Sequence, residues 1–233
     1  MREFCVATVG FGGHCMRLDK KGIALIIIYS IIILSSAYCA VRGIFFGAGA
    51  GQVGDSMVGI GYLKAFTSDS NILCGIVSAM SLAYLLKNRT CDYAGWLRGL
   101  NLMATTAVCV TFVLVVLFLN PVMSLQRGDM FVMFENDMFH FHFLNPVLAV
   151  TAIILCRSEK RYTRAMWWCA AIPVFVYSIV YLINVVFLKT WNDFYGFTFG
   201  GKMFMVPVVM AAIYGLSMGL TSILARIGRT QQN

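Results

Sequence analysis

KAFTSDSNILCGIVSAMSLAYLL, residues 64–86, is long and apolar enough to cross a bilayer, yet five polar residues in a row, Thr67 to Asn71, crowd its first turns. Laid on a helix, Thr67, Ser70, Asn71, Cys74, Ser78 and Ser81 recur at three- and four-residue steps, giving one polar stripe on an otherwise greasy cylinder. Unpaired polar groups are costly in hydrocarbon, so the stripe is expected to face a polar interior and not lipid.

The rest of the chain agrees with a membrane setting. Its 233 residues are 60% hydrophobic and only 12% charged, with a mean hydropathy of +0.80; a soluble domain carries about 25% charged residues. Apolar segments near 22–46, 64–86, 99–119, 139–156, 166–188 and 203–225 use up most of the length. The expected fold is therefore all-α, an integral membrane bundle of six transmembrane helices over residues 22–226. Residues 1–21 and 227–233 remain as short cytosolic ends, and no separate soluble domain is expected. Thirteen of the eighteen Lys and Arg residues fall on one set of alternate connections and five on the other, which predicts both termini inside. The net charge of +8 is on this view a topology signal, and no nucleic-acid partner is expected. If the source is bacterial, the membrane is the inner one.

Local punctuation refines the picture. The glycine-rich run after residue 46 predicts irregular backbone, either a flexible connection or a short re-entrant segment. Asn120-Pro121 is expected to end the third span, and residues 122–139, aromatic and acidic, to lie along the interface. FLNP occurs at 118–121 and again at 143–146, but the flanking residues differ, so the repeat reads as coincidence. Eight scattered cysteines without a CxxC or a metal-like spacing predict packing residues, with neither disulfides nor a metal site. No cofactor is expected.

The topology carries a chemical consequence. The second and fourth spans enter from the same side, which sets Thr67 and His142 at similar depth on different helices. His140 and His142 stand two residues apart and point to different faces, so at most one is expected to look inward comfortably. Pro146 cannot donate to the carbonyl of His142, which invites another donor there. A histidine titrating near neutrality can take the proton of a hydroxyl that is otherwise a poor nucleophile. Thr67 and His142 are thus the candidate nucleophile and base, against the plainer alternative of a histidine hydrogen-bonded for packing. Asp69 could orient the histidine, bind a cation or reach the interface. Ser70, Asn71 and Asn145 could donate to an oxyanion or act as glue between helices. Cys74, on the same face as Thr67, is the alternative nucleophile of a membrane acyltransferase, although a thiol buried in apolar surroundings is usually inert. Tyr177, Tyr181 and Asn184 form a further polar stripe on the fifth span that either lines the same cavity or closes the bundle.

KAFTSDSNIL followed by HFHFLNP resembles the androgen-induced membrane hydrolase family and its bacterial six-helix relatives. That resemblance implies hydrolysis of fatty-acid esters of hydroxy fatty acids by an intramembrane threonine. Thr67 stands in the family's F-T-x-x-S-N context and His142 in its H-x-x-x-P context, while Asp193 and Phe194–Phe199 are similar to its Y-x-F segment before the last span. The implied partner is a membrane lipid or fatty-acid ester; no oligomeric state is assigned. A non-enzymatic transporter is the competing class, disfavoured because Asp69 and His142 are the few ionisable groups within spans and no inverted repeat is visible. A haem or quinone protein is weaker still, since His140 and His142 share one helix.

Overall fold

The computed structural model describes residues 19–46, 59–131, 134 and 137–229, and those residues form helices joined by short turns. The first helix, α1, spans Lys20–Phe46. Ile23, Ile27, Ile31, Leu34, Tyr38 and Phe45 recur along one exposed side of it, whereas Leu25, Ile28, Ile32, Ser35, Ser36 and Cys39 are buried on the other. Large apolar side chains left bare along a whole helix are what a lipid phase would cover. A 3-10 segment, Gly59–Lys64, leads into α2, Phe66–Asn88.

The third helix, α3, runs Gly95–Leu114 and does not stop at Asn120-Pro121. It passes through a π turn, Val115–Leu119, into a further helical segment, Asn120–Arg127. The expected break is absent for a physical reason. In the widened turn the Asn120 N–H reaches back five residues to the Val115 carbonyl. Pro121 then stands in the first turn of the next α segment, where no N–H is needed. The fourth helix, α4 (His140–Leu155), is built the same way: a π turn, His140–Leu144, followed by Asn145 and Pro146 at the start of α helix. The two FLNP copies therefore encode one local structure and are not coincidental. α5 (Arg164–Phe187) closes on a third π turn, Ile183–Phe187, and α6 spans Met205–Ile227.

Five of these helices are long and apolar enough to span a membrane; α4 is apolar but shorter. Helical backbone over Asp137–Phe139 runs directly into it, so the continuous run is roughly 28 Å long at the α-helical rise, against the roughly 30 Å hydrocarbon core. The described residues thus give an all-helical chain with five helices of spanning length and a shorter sixth apolar helix. The glycine-rich run through residue 58, the N-terminal segment through residue 18, His14 and the last four residues lie outside the described residues. Among the described cysteines, Cys74, Cys91, Cys109, Cys156 and Cys169 are free thiols.

The stripe on α2 is buried as its spacing predicts. Ser70, Asn71, Cys74, Ser78 and Ser81 all lie inside, and three of them tie α2 to its neighbours. Ser70 bonds Thr111 of α3 at 3.1 Å, Asn71 accepts from Asn145 of α4 at 2.9 Å, and the Asn101 carboxamide of α3 donates to Ser81 at 2.8 Å. Such interhelical bonds in membranes contribute about 0.6–2 kcal/mol each. Gly75 lets α1 and α2 close up, because a Cβ there would stand 2.8 Å from Cβ of Ser36.

The two ends of the bundle differ. At one end the basic connections meet: Arg98 bonds the Lys160 carbonyl and stacks on Tyr162, Lys160 pairs with Asp92, and Arg157 bonds the carbonyl of Ile227. At the other, all three π turns gather around the start of α2. That second end holds the candidate site.

Candidate functional site

Helix α2 begins without a cap of its own, because Ala65 has no side chain that can accept a hydrogen bond. Tyr195 fills the role from the turn between α5 and α6. Its phenol oxygen accepts the Phe66 N–H at 3.0 Å, and the Thr67 backbone and hydroxyl and the Tyr177 hydroxyl also lie within hydrogen-bonding reach of it. Tyr177 in turn donates to the Lys64 carbonyl at 2.8 Å. Burial pushes the Tyr195 phenol up from its ordinary value, with the donors around it partly offsetting that. It stays a neutral phenol near pH 7, a donor and acceptor but not a base.

The turn that carries Tyr195 is itself clamped. Asp193 accepts from the Tyr181 hydroxyl at 2.7 Å, from the Phe197 N–H at 2.9 Å and from the Thr198 N–H at 2.7 Å. Burial works against ionisation of this carboxyl, but the bonds from Thr198, Tyr181 and Phe197 outweigh it and hold Asp193 below the usual carboxylate value. Stacked rings fix the remainder, Tyr181 on Tyr195 at 5.7 Å and Tyr195 on Phe197 at 5.1 Å between centroids. The α5 stripe thus does two jobs: Tyr177 lines the cavity described next, while Tyr181 and Asn184 (which accepts from the Thr190 hydroxyl at 2.6 Å) fasten the turn.

Thr67 is half-buried and lines a cavity of about 30 Å³ together with Thr111, Val115, Tyr177, Ser178 and Tyr195. Outside it, between α2 and α5, runs an open groove of about 250 Å³ onto which Asp69 and Ser70 face. Phe66 and Tyr177 belong to both walls. Their rings pack 5.1 Å apart and form the partition between the inner cavity and the groove.

His142 is buried, 2% exposed, with its ring edge-on to Phe134 at 6.5 Å. Among the described residues it does not line the Thr67 cavity. What joins the two candidates is Asn71. Its carboxamide nitrogen donates to the Thr67 carbonyl at 2.8 Å and to the carbonyl of Phe141, the neighbour of His142, at 3.5 Å. The backbones that carry the threonine and the histidine are thus no further apart than those two bonds laid end to end. The carbonyl that needs a donor is that of Phe141 and not, as the α-helical register predicts, that of His142. In the π turn Asn145 N–H takes the His140 carbonyl. The next link in that register would fall on Pro146, which has no N–H.

The two asparagines hold the frame and have no donor to spare for an oxyanion. Asn145 uses its nitrogen on Asn71 Oδ1 at 2.9 Å and Ser36 Oγ at 3.4 Å, and Asn71 uses its own on the two carbonyls. Tyr195, which the sequence pattern did not single out, is the hydroxyl nearest to serving Thr67. Its only trace in the sequence is the aromatic turn before α6. Cys74 is 2% exposed, packs in the core with Leu25, Tyr29 and Val108, and among the described residues lines neither cavity. His140 also departs from expectation. Because α4 is wedged between α1 on one side and α2 and α3 on the other, both histidines find protein, and His140 Nδ1 lies 3.2 Å from Ser35 Oγ of α1.

No family model, curated protein or solved structure matches the chain.

Proposed function

We propose that this chain is an intramembrane hydrolase of lipid esters, with Thr67 as nucleophile and His142 as general base, opening toward the outer leaflet. The observation that carries the reading is the position of Thr67: it lines an inner cavity beside Tyr195, and Phe66 and Tyr177, rings 5.1 Å apart, belong both to that cavity and to a lateral groove. A cavity of about 30 Å³ has room for a water, which needs about 10–15 Å³, but not for an acyl chain. The acyl group therefore stays in the groove, and the Phe66–Tyr177 pair parts to admit the ester carbonyl. Thr67 Oγ attacks that carbonyl carbon, His142 takes the hydroxyl proton, and the alcohol leaves with it. Water then cleaves the acyl-threonine and restores the enzyme. The Tyr195 phenol donates to the oxyanion, the part that neither asparagine is free to play. The resemblance of the Thr67 and His142 contexts to the androgen-induced membrane hydrolases supports the same reaction class, and the surplus of basic residues at the far end supports the orientation.

Turnover of a chromogenic ester series by the purified full chain tests the reading. Thr67→Ala is expected to abolish activity, His142→Ala to lower it about 10²–10⁴-fold, and Ser35→Ala and Cys74→Ala to leave it near wild type. Full activity in Thr67→Ala, or no turnover by wild type across chain lengths, removes the proposal. Loss confined to Ser35→Ala shifts the chemistry to the Ser35–His140 pair, and loss confined to Cys74→Ala shifts it to acyl transfer from a thiol.

A further inference from the structure

The groove between α2 and α5 contains something that its apolar walls do not explain. Leu63, Leu73, Val176 and Val180 line it together with the aromatic residues Tyr177 and Trp191, and Asp69 stands among them. Asp69 is half-buried, and no ion pair or hydrogen bond to its carboxylate is found among the described residues. The ion pair the described residues do form, Lys160–Asp92, is at the other end of the bundle. Lys64 and Lys189, close in sequence to the lining residues Leu63 and Trp191, form no ion pair with Asp69 among the described residues. The positive end of the α2 dipole offsets only part of the cost of a carboxylate against apolar walls. A lone negative charge, two aromatic lining residues and an apolar trough are together complementary to a cation on an oily chain.

We propose that this groove binds a single-chain amphiphile with an amine or quaternary ammonium head, Asp69 being the counter-ion and Tyr177 and Trp191 the rings beside the head. At about 250 Å³ the open trough suits the head and upper segment of one chain. The proposal goes beyond the hydrolase reading and stands whether or not Thr67 is a nucleophile. It also runs against the bulk charge, since a chain of net charge +8 attracts anions and repels cations away from any specific site.

The test uses the full chain in a neutral maltoside detergent and three photoreactive probes of equal chain, hexadecyltrimethylammonium, hexadecanol and hexadecyl sulfate, each with a diazirine near the head. Half-saturation by the cationic probe is expected about tenfold below that of the alcohol, the worth of one charge-assisted contact, with the sulfate weakest and adducts mapping to Leu73, Val176 or Val180. Asp69→Asn should bring the cation and the alcohol to within about twofold of each other. Val180→Trp, which fills the trough from its lipid side and leaves Asp69 in place, should abolish labelling by both. Equal saturation by the three probes in wild type, adducts confined to other helices, or a cationic preference that survives Asp69→Asn would each overturn the proposal.

Discussion

Asn145 shows how little slack there is inside the bundle. It is fully buried, both of its N–H donors are engaged, and its Oδ1 has no partner among the described residues. Replacing it by Leu strands Asn71 Oδ1 as well, and that loss is expected to cost about 1–2 kcal/mol in a detergent unfolding titration. Asn71→Leu and Asn145→Leu act on the same bond, so the double variant should cost clearly less than the two singles combined; strict additivity would mean that the bond contributes nothing. Asp193 makes a prediction of a different kind. Its carboxyl is held below the ordinary value in the folded protein, so its stabilising effect is complete above the unfolded carboxylate pKa and fades only as pH falls through the folded one. The tyrosine fluorescence of the turn should therefore be flat from neutrality down to about pH 4 and change below that. In Asp193→Asn the acid change should vanish and stability should drop by about 1–3 kcal/mol at neutral pH. Thr67, Asn71 and Asn145 were legible in the sequence because polar residues at helical spacing inside an apolar run are conspicuous. Tyr195 was not, because its partner lies 129 residues away in the chain and nothing local marks a phenol as the cap of a distant helix. The Ser35–His140 bond was hidden for a related reason: a two-residue spacing says that two side chains diverge, not that neighbours wait on both sides.

Helix ends were harder to read than helix interiors. Asn-Pro predicts a stop, and twice the chain continues through a π turn instead, since a register of five lets proline begin the next segment without wasting a donor. The cost is an orphan carbonyl one turn earlier, and on α4 Asn71 serves it. π turns are rare and gather at functional positions; here one stands on each of α3, α4 and α5, around the start of α2. Pro146→Ala restores the missing N–H. Its expected result is a stable helix with a normal register, a weaker link between Asn71 and Phe141, and reduced ester turnover without a loss of fold; unchanged turnover would separate the π turn from the site. The pairing of α1 with α2 depends on Gly75 in a simpler way. Gly75→Val forces atoms against Ser36 and is expected to cost about 1–3 kcal/mol, read as a lower midpoint in thermal unfolding.

The molecule as a whole is a bundle with unlike ends. Arg98, Arg157 and Lys160 lace the basic connections together at one end, and at the other the aromatic turn folds over the start of α2. Composition alone made the membrane setting and the all-helical class legible. It did not distinguish α4, apolar but shorter than the other five, whose wide turn carries His140 and His142. Composition also gave no sign that Phe66 and Tyr177 divide the interior cavity from a lateral groove, an arrangement that needs three separate segments in place. Everything proposed about chemistry converges on one hydroxyl behind that partition. Its reactivity can be measured directly by treating the full chain with a lipophilic fluorophosphonate and mapping the adduct by mass spectrometry. Modification of Thr67, lost in His142→Ala and blocked by a competing fatty-acid ester, is the predicted result. An adduct on Ser35 instead, or an unmodified Thr67 in protein that turns over ester, would contradict it.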